Sequence, residues 1–151
     1  IRFPRGLSRS KDKARHPFNY SFSGMKTAVA RYVEACEARG EEIPKEDIAA
    51  GFSFAVCDVL LEKAFNACQV FDSDTLVIGG GFSANSMLRD MAAERAEKYG
   101  IAMRIPPIRF CTDNGAMIAA LGWSLVREGV EPSPLDVTVD TGLAREQIVL
   151  R

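Results

Sequence analysis

The chain has 151 residues, 47% hydrophobic and 26% charged, with a formal net charge of −1. That composition excludes a disordered or collagenous chain and fits a soluble globular domain; a chain this long buries about 70% of its unfolded surface, enough for a core without disulfides. No apolar run approaches the roughly 20 residues of a membrane span, and none follows the basic start as in a signal peptide. A soluble, cytoplasmic protein without membrane contact is expected.

Cys36, Cys57, Cys68 and Cys111 show no C-x-x-C spacing, which predicts buried free thiols in a reducing compartment. His16 is the single histidine, so a metal needs carboxylates or groups outside this chain. The first residue is Ile1 rather than Met, and a piece of a longer protein is expected.

In chain order, residues 1–20 carry Arg2, Arg5, Arg9, Lys11, Lys13 and Arg15 against the single acid Asp12. Such a run forms either a solvated flexible arm or a contact to a phosphate backbone. A helix is predicted from Ser23, with Met25, Ala28, Val29, Tyr32, Val33 and Cys36 on one face and Gly40 as its stop. A second helix from about Lys45 to Phe71 carries two apolar stripes. Ile48, Phe52, Ala55, Val56 and Val59 form one, and Phe54, Cys57, Leu61, Phe65 and Cys68 the other, the pattern of a helix buried on two sides.

The run Thr75 to Ile78 reads as a buried strand, Gly79-Gly80-Gly81 as a turn, and Leu88 to Tyr99 as a helix stopped by Gly100. Ala102 to Ile105 is a second strand, and a strand, helix and strand in succession imply parallel pairing. Thr112 or Asp113 is the expected cap of a helix from about Gly115 to Arg127, whose run Ala116 to Leu121 must be buried. Two short apolar runs in the tail to Arg151 are edge strands or unfolded chain. Two strands and four helices with two-sided apolar faces imply a lobe from which a part is missing.

Three segments are able to carry chemistry. The glycine turn admits a ligand to the backbone, with helix-start amides facing an anion, although tight turns also use glycine for steric reasons. Asp113 before a buried helix is most often a helix cap, and at the edge of a parallel sheet it also suits one ligand position of a metal. Ser21, Ser23 and Lys26 suit a phosphate, or a plain Ser cap with a solvated lysine.

Taken together, SFSGMKTAV, EDIAAGFSFAVCDVLLEKA, LVIGGGFSANSMLR and PPIRFCTDNGAMIAALG, in this order and spacing, resemble the C-terminal part of the tRNA threonylcarbamoyladenosine transferase family, formerly labelled O-sialoglycoprotein endopeptidase. The resemblance covers roughly Ser21 to Gly129. It implies an α/β fold, a partial second lobe of an actin-like ATPase with helices on a short parallel sheet. It divides the chain into a basic arm at 1–20, the lobe at 21–129 and a tail at 130–151. The first lobe, with its metal-binding histidine pair, would lie upstream.

By the same resemblance, Gly79 and Gly80 let an adenylate approach the backbone and Asn85 binds the nucleotide-linked substrate. Asp113 completes the site of one divalent metal, iron or zinc, shared with the upstream histidines. No catalytic side chain is assigned. The ligand would be threonylcarbamoyl-AMP or ATP, and the reaction would move the threonylcarbamoyl group to N6 of adenosine 37 of tRNA. Partners would be tRNA, contacted by Arg5, Arg9, Lys11, Lys13 and Arg15, and the proteins of the modification complex: a paralogous actin-like subunit and a small ATPase. The fragment alone is expected to be inactive. Phe82, Gly51 and Ser53 depart from the family pattern. The alternatives are another actin-like ATPase or sugar-kinase lobe, and a non-catalytic docking paralogue. A peptidase finds no nucleophile and base pair and no H-E-x-x-H here.

Overall fold

The computed structural model describes residues 1–138 and 141–142. By its contacts the chain falls into two units, Ile1–Cys111 and the residues from Thr112 onward.

The first unit is built around one long helix. After a short helix α1 (Ser10–Arg15), α2 spans Ser23–Arg39 and α3 spans Lys45–Val70. The two stripes predicted for α3 face two cores. On one side Ile48, Ala55 and Val59 pack with Phe3 and with Met25 of α2. On the other, Cys57, Leu61, Phe65 and Cys68 pack with Leu88, Ala92 and Ala96 of α4 (Ser86–Tyr99) and with Ile101. Phe54 alone leaves its stripe: it is exposed, and the Arg5 guanidinium lies 5.8 Å from its ring centre. Gly40 and Gly100 end α2 and α4 in the left-handed conformation, as the sequence predicts.

Strands β1 (Thr75–Val77) and β2 (Ala102–Arg104) pair in parallel, Thr75 opposite Ala102 and Val77 opposite Arg104. The sheet is less buried than expected. Leu76 and Met103 lean on the core while Val77, on the opposite face, is 71% exposed, because strand residues alternate between faces and only one face is covered.

Residues 1–20, read from sequence as a flexible arm, are held on α3 in this structure. Phe3 enters the core, Arg5 pairs with Asp58, Lys13 with Glu62 at 2.5 Å, and the buried Lys63 ammonium donates to the Leu7 and His16 carbonyls at 3.3 and 3.0 Å. Gly51 allows this docking, since a Cβ there would collide with the Ile1 carbonyl. All four cysteines are buried and free.

The second unit contains α5 (Gly115–Arg127). The sequence predicts a buried first half, yet α5 buries none of its residues, and Ile118, Leu121 and Trp123 are exposed. Among the described residues from Thr112 onward there is no second helix or strand for it to pack on. Of the apolar runs expected as tail strands, Leu135 and Val137 are exposed and lie in no strand, and the rest falls on residues 139–140 and 143–151, outside the described residues. No helix among the described residues is long and apolar enough to cross a membrane.

Candidate functional site

The glycine turn follows β1 directly. The Ile78 amide closes the sheet by donating to the Arg104 carbonyl at 3.0 Å, and the chain then leaves through Gly79 into Gly80 at φ +84°. That conformation disfavours a side chain. A single turn of 3-10 helix, Gly81–Ala84, comes next, closed on the Gly80 carbonyl by the Ser83 amide at 3.0 Å and the Ser83 hydroxyl at 2.7 Å. Among the described residues, apart from each glycine's chain neighbours, no atom lies within 4 Å of where a Cβ would stand at Gly79, Gly80 or Gly81. The glycines at 79 and 81 therefore relieve no clash among the described residues, and the space beside the backbone there is open to a ligand.

Asn85 caps α4: its Oδ1 accepts the Leu88 amide at 2.9 Å and lies 4.0 Å from the Cys57 sulfur. Its Nδ2 group makes no hydrogen bond among the described residues and stays available as a donor beside the turn. Burial pushes the Cys57 thiol above its ordinary pKa, so at neutral pH the sulfur neighbouring Asn85 is neutral.

Sequence reasoning passed over Arg89. From the first turns of α4 its guanidinium donates to the Ser83 carbonyl and to the Pro106 carbonyl, both at 2.6 Å, and lies 3.3 Å from the buried Cys111 sulfur. One fork thus ties the glycine turn to the loop after β2. The only available signal was an arginine four residues after Asn85 on a helix, which has no distinguishing mark in a linear sequence.

In the second unit the expected cap is corrected. Neither Thr112 nor Asp113 caps α5. Asn114 does, its Oδ1 accepting the Met117 amide at 3.0 Å while its Nδ2 donates to the Thr112 carbonyl at 2.8 Å. A carboxamide fills both roles at once, donor and acceptor, which a carboxylate cannot. Asp113 is exposed, and its carboxylate makes no hydrogen bond or ion pair among the described residues. As chemistry it fits one hard oxygen ligand of a metal. It is not sufficient: among the described residues no three His, Cys, Asp or Glu side chains gather as a metal cluster.

The Ser21 to Lys26 segment caps nothing by side chain. Ser21 and Ser23 hydroxyls face each other at 3.4 Å, and Lys26 is exposed. Of the five basic residues read as RNA contacts, Arg5 and Lys13 are committed to Asp58 and Glu62. Arg9, Lys11 and Arg15 are exposed and form no ion pair among the described residues.

A glycine turn between a parallel strand and a helix, with an uncommitted amide at the helix start and open space along the backbone, is the kind of site at which α/β proteins hold nucleotides. A model of the tRNA N6-adenosine threonylcarbamoyltransferase family matches residues 1–120, and the chain belongs to that family. Curated relatives bearing that name include one from Bifidobacterium longum, 51% identical over 95% of this chain, and one from Corynebacterium diphtheriae, 50% identical over 97%. A third, from Bifidobacterium adolescentis, is 47% identical over 98%. The chain spans about two fifths of their length, 41%, 42% and 43% respectively.

Proposed function

We propose that this chain supplies the nucleotide turn and one metal ligand of a transferase that moves a threonylcarbamoyl group from threonylcarbamoyl-AMP to N6 of adenosine 37 of tRNA. The observation that carries the reading is the family match over residues 1–120, which takes in both GGGFSAN and CTDN. It also sets aside the sugar-kinase alternative. The lobe is then part of an actin-like ATPase fold, of which the two-stranded parallel sheet with α3 and α4 is one piece.

The residues of this chain divide the work by their chemistry. Gly79 to Gly81 leave the backbone bare, so that main-chain amides can orient the adenylate whose AMP departs. The Nδ2 group of Asn85, free of any capping duty, donates to the nucleotide-linked substrate. Asp113, relieved of capping by Asn114, offers a carboxylate to a divalent ion, iron or zinc, completed by histidines outside this chain. When bound, the ion would polarise the threonylcarbamoyl carbonyl. The exposed cations Arg9, Lys11 and Arg15 would meet RNA phosphates, and a paralogous subunit and a small ATPase are the expected protein partners. An isolated chain with one metal ligand transfers nothing by this reading.

The test is incorporation of radiolabelled threonine into tRNA by the full-length protein with its partner enzymes. Asn85→Ala is expected to cut incorporation by at least about tenfold, the loss of one good hydrogen bond to a charged substrate. Incorporation unchanged in that variant would remove Asn85 from the site.

A further inference from the structure

A cavity of about 790 Å³ lies in the first unit between the N-terminal segment, α3 and α4, and none of Gly79, Gly80, Asn85 or Asp113 lines it. Its volume falls in the range of small-molecule sites. Its charge is lopsided. Arg5, Lys13, Lys63, Arg95 and Lys98 line it against Asp58 and Glu62 alone, an excess of three formal positive charges.

Both carboxylates are already satisfied. Asp58 receives Arg5 on one oxygen and Arg95 on the other, and Glu62 receives Lys13 at 2.5 Å. Lys63 is different. Only 4% exposed, it donates to the Leu7 and His16 carbonyls, and no carboxylate lies within 4.0 Å of it among the described residues. An ammonium has three donors and here two are used. A buried charge without a counter-ion is costly, which is why interior cations are normally paired. Lys98, at the same cavity, rests over the Tyr99 ring at 5.3 Å and has no ion pair among the described residues.

The geometry points to a binding site for a small phosphoanion in this cleft, with Lys63 at its base, Lys98 at its rim and Arg5 and Arg95, both held on Asp58, along its lining. One phosphate group carries about 1.5 to 2 negative charges near neutral pH, so three excess cations match two phosphoryl groups rather than one. A lysine sunk this deep is within reach of a terminal phosphate on a slim ligand, whereas a nucleic-acid backbone would have to enter the cleft whole. Binding also links the arm to α3, since Lys63 holds two of the arm's carbonyls while contacting the anion.

The experiment is calorimetric titration of the 151-residue chain with pyrophosphate, repeated on Lys63→Met and Lys98→Ala, with a single-stranded RNA oligonucleotide as the second titrant. Lys98→Ala removes a rim cation and no structural hydrogen bond, so it is expected to melt like the unliganded parent and bind pyrophosphate at least about threefold more weakly. Lys63→Met is expected to lose at least about tenfold, one charge-assisted hydrogen bond. Should Lys63→Met not fold, Lys98→Ala alone decides. No binding of pyrophosphate at roughly 1 mM, or affinity unchanged in Lys98→Ala, overturns the assignment. So does RNA binding that depends on these lysines while pyrophosphate does not bind, which would make the cleft a nucleic-acid contact.

Discussion

Asn114 accepts the Met117 amide at 3.0 Å and so caps α5, while its neighbour Asp113 caps nothing. The two residues are therefore separable. Asn114→Ala is expected to destabilise the first turn of α5 by about 1 kcal/mol. Hydrogen exchange at the Met117 amide, read site by site, should accelerate about fivefold. Unchanged exchange would mean that the cap contributes nothing to the helix start.

Arg89 joins the Ser83 and Pro106 carbonyls, and its loss leaves both acceptors in a partly buried place. Arg89→Met keeps the aliphatic stem and should lower the unfolding free energy by about 2 to 3 kcal/mol, given that hydrogen bonds to charged groups contribute about 1.5 to 3 each and are not additive. Arg89→Lys should rescue little, because an ammonium lacks the fork that spans two carbonyls. A denaturant midpoint equal to the parent's in either variant would contradict this.

Much of the first unit was legible in the sequence, and the reason is local. Gly40 and Gly100 sit where only a left-handed residue ends a helix, and the two stripes of α3 repeat at helical spacing, so each stripe found its core. What escaped was long-range. The docking of residues 1–20 depends on Lys63 reaching carbonyls 47 and 56 positions away, and on an ion pair between Arg5 and Asp58. Nothing in the spacing of a basic run announces such partners. The cap at α5 escaped for a subtler reason: Thr112, Asp113 and Asn114 are all good cap residues, and only the backbone placement selects among them.

The thiol of Cys57 gives a pH dependence with a definite sign. Burial raises its pKa in the folded chain, so above about pH 8.5, where an ordinary thiol ionises, the unfolded chain gives up a proton that the folded chain keeps. The unfolded state then binds fewer protons, and stability falls as pH rises. Tyr20, exposed but with its hydroxyl donating to the Leu60 carbonyl at 3.1 Å, is shifted upward by partial desolvation as well and extends the decline to higher pH. Cys57→Ser melted across pH 8 to 10 should show a shallower decline than the parent. Equal slopes would assign the decline to other groups.

For the proposed RNA contact, Arg9, Lys11 and Arg15 are the candidates that are exposed and form no ion pair among the described residues. Replacing Arg9, Lys11 and Arg15 by Ala in the full-length protein should flatten the plot of log affinity against log salt by about 0.7 to 0.9 per contact, about equally for different tRNAs. Replacing Arg5 and Lys13 instead should loosen the arm from α3, which a melting curve reads as lost stability. An unchanged salt slope in the threefold variant would return these cations to a solvated surface.

The most direct test of the account concerns Asp113, whose carboxylate is left uncommitted beside the Asn114 cap. Metal content per chain, measured on the full-length protein as parent and as Asp113→Ala, with the melting temperature recorded alongside, separates a ligand from a structural residue. The account predicts metal retention reduced by at least about tenfold, threonylcarbamoyl transfer falling with it, and an unchanged melting temperature. A lowered melting temperature with full metal content and full transfer would contradict it.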